Sequence, residues 1–182
     1  DLTLKDPAAA EVTGATPVFA DVVRLDHRDR RIEDLPGYAE GRWWVQDLAA
    51  SLPARLLALP PGARVADLCA APGGKTIQLA VAGASVMAVD RSDPRLKRLK
   101  ENLKRLGYKV DVRTAEIEQW QPEESFDAVL LDAPCTATGT IRRHPDLPYL
   151  KDEPDVAKLA ELQRRLMMPA WAMLKPGGRM VY

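Results

Sequence analysis

Two stretches of this chain have residue types that could do chemistry: Asp67-Leu68-Cys69-Ala70-Ala71-Pro72-Gly73-Gly74-Lys75-Thr76 and Asp132-Ala133-Pro134-Cys135. In the first, small residues and two adjacent glycines let backbone amides come close to a ligand. A helix starting there turns free N–H groups toward any negative group in the space, a carboxylate for example. In the second, a carboxylate stands just before a thiol. A thiolate is a nucleophile, and a neighbouring carboxylate can accept hydrogen bonds from an amine. Between the two blocks, Asp90 closes an apolar run, the position from which a carboxylate commonly accepts hydrogen bonds from ribose hydroxyls. Arg142, Arg143 and His144 follow the second block and read equally as a solvated charged loop and as a group that grips phosphates flanking a flipped-out base.

Some chemistries are excluded. Gly74-Lys75-Thr76 imitates the end of a phosphate-binding P-loop, but that pattern requires glycine where Cys69 stands, and G-x-G-x-x-G is absent. A nucleotide triphosphatase is therefore not expected. Cys69 and Cys135 are the only cysteines, and with His27 and His144 they show no metal-ligand spacing. No metal and no disulfide framework are expected, and the setting is read as reducing and cytoplasmic. The 26 Lys and Arg balance 26 Asp and Glu, so any nucleic-acid contact must come from a local patch. No apolar run approaches the length of a membrane span.

The elements that hold these blocks can be read from periodicity. Short apolar runs at Val65–Cys69, Ser85–Val89, Val110–Thr114, Phe126–Leu131 and Arg179–Tyr182 predict buried strands. Amphipathic helices alternate with them. One covers Pro94–Leu106, with Leu96, Leu99, Leu103 and Leu106 on one face, and another runs from about Val156 to Leu174. Such alternation predicts a parallel, doubly wound α/β sheet whose ligands bind at the carboxyl ends of the strands. Helical spacing also covers Val45–Leu59, and Pro60-Pro61-Gly62 ends it. Residues 1–42 read as the remnant of a small α/β appendage with its linker, and 43–182 as the core. Trp43 and Trp44 are expected in the core or at a domain interface. The basic run Lys97, Arg98, Lys100, Lys104 and Arg105 is read as the wet face of its helix. The chain opens without methionine and stops at Tyr182 inside a strand, so it is read as a fragment truncated before the final strands.

Cys69-Ala70-Ala71-Pro72-Gly73-Gly74-Lys75, Asp90, Asp132-Ala133-Pro134-Cys135, Thr138-Gly139 and Arg142-Arg143-His144-Pro145-Asp146 together resemble the Sun/RsmB family of RNA cytosine-C5 methyltransferases. The linker Leu35-Pro36-Gly37-Tyr38-Ala39-Glu40-Gly41 and Val45-Gln46-Asp47 resemble the same family's entry into its catalytic domain, so the match runs from about Asp34 to Tyr182. The resemblance implies a Rossmann-like methyltransferase fold with S-adenosyl-L-methionine as cofactor. It implies ribosomal RNA as substrate, 16S rRNA first, methylated through a covalent cysteine–C6 intermediate.

Carried over residue by residue, Cys69 to Lys75, Asp90, Glu116 and Asp132 hold the cofactor, and Asp132 also holds the exocyclic amine of cytosine. Glu116 stands where the family usually has the aspartate that contacts adenine. Cys135 has two readings. By analogy with DNA cytosine methyltransferases it is the nucleophile. In the family it assists product release, and the attacking cysteine belongs to a Thr-Cys-Ser motif expected after Tyr182, which leaves the chain as given inactive. Cys69 is expected to pack beneath the loop. A monomer is expected. Two other functions fit these residues: cytosine-C5 methylation of tRNA or DNA, and a non-catalytic RNA-binding module with a vestigial cofactor pocket.

Overall fold

Leu2, Leu4, Val23 and Trp43 bury their side chains in one small cluster and thereby fix four short strands. These are β1 (Leu2–Leu4), β2 (Thr16–Phe19), β3 (Val22–Arg24) and β4 (Trp43–Val45), paired antiparallel in the order β2-β3-β1-β4. The computed structural model describes residues 1–6, 8, 14–25 and 31–182. The described part of the appendage is thus this sheet plus one short 3-10 turn, Ile32–Asp34. β4 lies on the core side of the division expected at residue 42, yet it pairs with β1 through Leu2↔Val45 and Leu4↔Trp43.

A buried glutamine joins this sheet to the core. Gln46 Oε1 accepts from Thr3 Oγ1 and from Trp44 Nε1, each at 3.0 Å. Its Nε2 donates to the Ala50 carbonyl at 3.3 Å and to Gln78 Oε1 at 3.1 Å. Leucine there keeps the volume but strands the Trp44 and Thr3 donors in a dry site. Gln46→Leu is expected to cost about 3 kcal/mol of unfolding free energy, measured as a lower denaturant midpoint at unchanged slope.

The core begins with α1 (Leu48–Leu56), shorter than the span the spacing predicts. Its buried residues are Ser51 and Ala54, whereas Leu52 and Leu56 are exposed. Then follow β5 (Arg64–Leu68), α2 (Gly74–Val81), β6 (Ser85–Asp90), α3 (Asp93–Leu106), β7 (Asp111–Thr114) and β8 (Phe126–Leu131). The chain closes with α4 (Leu147–Leu150), α5 (Glu153–Ala172) and β9 (Leu174–Val181). All five core strands run parallel in the order β7-β6-β5-β8-β9, the doubly wound sheet that the alternation predicts.

β5, β6 and β8 are the central strands and consist largely of buried Val, Ala and Leu, as a sheet covered on both faces requires. α3 buries Leu96, Leu99, Leu103 and Leu106, starts with Pro94 in its first turn and ends at Gly107 in the left-handed conformation. α5 starts three residues before the expected Val156, because Asp152 and Asp155 form a reciprocal capping box there. It ends at Ala172. The expected buried strand Arg179–Tyr182 is corrected. β9 starts at Leu174, includes the Lys175–Gly178 segment read as a helix stop, and is half-exposed. Among the described residues it pairs with β8 alone, at the edge of the sheet. Among the described residues no helix is long and apolar enough to cross a membrane.

Candidate active site

The chain order of the strands reverses at β5, with β6 on one side and β8 on the other. That switch point opens a crevice at the strands' carboxyl ends. Leu68 stands opposite Val89 and Leu131 in register, so the three following loops meet. The Asp132 amide donates to the Leu68 carbonyl at 3.2 Å and the Ala70 amide donates to the Val89 carbonyl at 3.0 Å.

The glycine block forms a turn from β5 into α2. Gly73 caps the helix in a left-handed conformation, φ 104°, and a Cβ there would press on Leu99 Cγ at 2.8 Å. Glycine is therefore needed both for the backbone angle and for the close approach of α3. Lys75, in the first turn of α2, reaches across to Asp132, Nζ to Oδ2 at 2.7 Å. The two line one cavity of about 610 Å³ together with Cys69, Ala70, Ala71 and Pro72.

A second, smaller cavity of about 130 Å³ lies on the other side of Cys69. Asp90 and Glu116 line it with the apolar side chains of Ile117, Pro134, Leu162 and Leu166. Asp90 is 2% exposed and well held: Oδ2 accepts from the Ala71 amide at 3.1 Å and Oδ1 from the Ser92 amide at 2.9 Å. A carboxylate has further lone pairs for ribose hydroxyls, and an apolar slot ending in a second carboxylate suits a purine. These residues suit a nucleoside whose charged tail lies over the glycine turn.

Cys69 and Cys135 differ in environment. Burial, with Asp90 and Asp132 adding to it, pushes the Cys69 thiol up to about 12, so at neutral pH it is an uncharged packing group. Cys135 is exposed, and its Sγ accepts from the Ala137 amide at 3.3 Å. Arg143 lines the larger cavity but is tied to Asp47, Nη2 to Oδ2 at 2.9 Å, and Arg142 reaches the same carboxylate at 3.9 Å. His144 is exposed and lines neither cavity. His27 lies outside the described residues. Among those described, no group of three His, Cys, Asp or Glu side chains could hold a metal ion.

Some contributors escaped the sequence reading. Arg95 donates to the Ala71 carbonyl and stands 3.6 Å from Asp90 Oδ2, tying the glycine turn to the carboxylate that closes β6. Nothing in the sequence distinguishes it from the other basic residues of α3. Asp67 did carry a signal, a charge inside the apolar run Val65-Ala66-Asp67-Leu68. It is fully buried, its Oδ2 accepts from Thr76 Oγ1 at 2.5 Å, and its Oδ1 has no partner among the described residues.

Burial pushes the Asp67 carboxyl up to about 7, against the downward pull of the Thr76 hydrogen bond and of Lys75. Between about pH 4 and 7 the folded state therefore keeps a proton that the unfolded state has lost. Stability falls as pH rises through that window and levels off above it. Relative to Asp67→Asn, which cannot ionise, the parent chain is expected to lose about 3 kcal/mol between those limits. Denaturant unfolding of both proteins at each end of the window checks it.

A parallel sheet with a glycine turn after β5 and carboxylates closing β6 and opening the loop after β8 defines an S-adenosylmethionine-dependent methyltransferase fold. More narrowly, the chain belongs to the 16S rRNA methyltransferase RsmB/F family, whose model matches residues 54–182. Over 171 residues it is 48% identical to the ribosomal RNA small subunit methyltransferase B of Klebsiella pneumoniae, a match covering 91% of this chain and 39% of that protein. The chain thus spans about two fifths of the length of the curated relatives it matches. The crystal structure of PH0851 superposes on 98% of this chain and 44% of its own, with a TM-score of 0.87 at 32% identity. NSun6 from Pyrococcus horikoshii, solved with SFG, matches 82% of this chain and 39% of its own, with a TM-score of 0.74 at 32% identity.

Proposed function

We propose that this chain binds S-adenosyl-L-methionine and serves the methylation of cytosine C5 in ribosomal RNA, 16S rRNA first. The observation that carries the reading is the Lys75–Asp132 pair at 2.7 Å, set between the glycine turn and the Asp-Ala-Pro-Cys block in one cavity. Bound at the turn, the cofactor supplies an electrophilic methyl group on sulfur. Asp90 would accept from its ribose hydroxyls, Glu116 would face the purine amine, and the free amides of the α2 N-terminus would receive its carboxylate. Relatives named as rRNA methyltransferases support the RNA substrate.

Cytosine C5 is a poor nucleophile, so a thiolate must first add to C6 and make C5 an enamine carbon. Asp132 accepts from the cytosine N4–H and holds the ring against the cofactor, and Lys75 holds Asp132 in place. Once C5 is methylated, a base removes its proton and the C6–S bond breaks, returning the thiolate. In this reading the attacking thiolate comes from beyond Tyr182, and Cys135 assists the release step. Arg142, Arg143 and His144 face the RNA backbone. Residues 1–42 and their small sheet serve RNA placement beside the core.

Two measurements test the proposal. Calorimetric titration of the chain with S-adenosyl-L-methionine is expected to give saturable one-to-one binding; no binding, or preferential binding of a nucleoside triphosphate, overturns it. In the full-length protein, Cys135→Ala is expected to accumulate a denaturation-resistant covalent adduct with ordinary RNA. If Cys135 is itself the nucleophile, the variant forms none, even with RNA containing 5-fluorocytosine.

A further inference from the structure

We propose that the cleft between the small sheet and α3 is a second nucleotide subsite, which takes the single-stranded RNA residue beside the target cytosine. Its phosphate is held by Arg98, its sugar or base edge by Asn102, and its base face by Val45. The proposal rests on the RNA reading above and deepens it.

The larger cavity does not stop at the Lys75–Asp132 pair. It continues past Trp44 and Val45 to α3, where Arg98, Asn102 and Arg105 line it. Their spacing of four and three residues makes one stripe on the helix beside the buried leucines, with Arg98 exposed and Asn102 and Arg105 half-buried. Lys97, Arg98, Lys100 and Lys104 are exposed, as the wet-face reading expects, whereas Arg105 is half-buried. Arg98 is next to Leu99, which packs under Gly73, so the helix holds Arg98 at a fixed distance from the cofactor turn.

The cations around this cavity have different duties. Lys75 is paired with Asp132 and Arg143 with Asp47. Arg105 builds the wall: its Nη1 donates to the Tyr38 and Trp43 carbonyls at 2.7 and 3.1 Å, and its guanidinium lies 4.0 Å from the Tyr38 ring centre. Arg98 and Asn102 line the same cavity with no side-chain hydrogen bond or ion pair among the described residues. Val45, an apolar side chain that lines the same cavity, is 53% exposed. An unpaired guanidinium, a free amide and a bare apolar face are what a nucleotide needs: charge for the phosphate, donors and acceptors for an edge, and a surface for a base. At about 610 Å³ the cavity has room for a residue beyond the target base. The occupant is single-stranded because a base must leave its stack to reach the pair at the inner end.

The test is fluorescence anisotropy of the full-length protein with a labelled single-stranded oligouridylate carrying one central cytidine, as a function of salt. Cofactor affinity is measured in parallel by calorimetry. Arg98→Ala is expected to weaken RNA binding about tenfold and to reduce the salt slope by roughly 0.7, and Asn102→Ala to weaken it about threefold at unchanged slope. Arg98→Lys restores the slope. Cofactor affinity stays within twofold throughout, and circular dichroism melts report that each variant is folded. An Arg98→Ala/Asn102→Ala double variant that binds RNA within twofold of the parent overturns the subsite and leaves the methyltransferase reading standing. A parent that binds cofactor but no RNA sinks the subsite together with the RNA reading.

Discussion

Asp132→Ala is expected to slow methyl transfer to RNA in the full-length protein by about a thousandfold, with cofactor affinity reduced by no more than about tenfold. The argument starts from where the carboxylate stands. Asp132 follows directly on β8, its amide is held by the Leu68 carbonyl, and its carboxylate meets Lys75 at 2.7 Å. Its side chain remains about half exposed toward the crevice, so it retains lone pairs for a ligand. Truncation removes the acceptor for the cytosine amine and leaves the Lys75 ammonium without its partner, facing the base it should help to orient. On the proposed reading both effects act on the reacting base and only weakly on the cofactor, whose ribose is assigned to Asp90. Single-turnover transfer of a radiolabelled methyl group measures the rate, and calorimetry measures the affinity. A loss of less than tenfold in rate would remove Asp132 from the chemistry.

The second large effect is on stability. Gly41→Ala is expected to cost about 5 kcal/mol, enough to leave little folded protein in a domain of ordinary stability. Gly41 has φ +63°, and a Cβ there would sit on the Arg105 carbonyl oxygen and 2.9 Å from both the Arg105 carbonyl carbon and Leu106 Cα. These are backbone atoms at the C-terminal end of α3, so no rotamer change relieves the clash. The same junction is crossed by Arg105 donating to the Tyr38 and Trp43 carbonyls and by Lys5 Nζ donating to the Leu106 carbonyl at 2.8 Å. Moving α3 away would break these bonds and open the wall of the cleft. Gly107→Ala is the control: φ is +77°, but nothing lies within 4 Å of the added Cβ, so only the backbone angle costs, about 1 kcal/mol. Denaturant unfolding of the two variants compares a blocked junction with a strained but open one.

Much of the architecture is local information and was legible. Short, largely apolar runs such as Val65–Leu68 and Phe126–Leu131, alternating with amphipathic helices, read as covered strands, and the leucine spacing of α3 fixes both the helix and its buried side. The small residues and paired glycines from Cys69 to Gly74 announce a close backbone approach. Asp90, at the end of its strand, announces a carboxylate in a crevice.

What periodicity cannot encode is which strand pairs with which. Only the order β7-β6-β5-β8-β9 brings Lys75 to Asp132 across 57 residues of sequence, and only that order makes β9 an edge with a half-exposed face. The same holds for the basic residues of α3. A helical pattern tells which residues are buried by the helix itself, whereas the small sheet docked at Gly41 decides that Arg98 and Asn102 also line a cleft. Burial of a face is a property of a segment. A site is a property of the distances between segments, and those are set by packing across the whole chain.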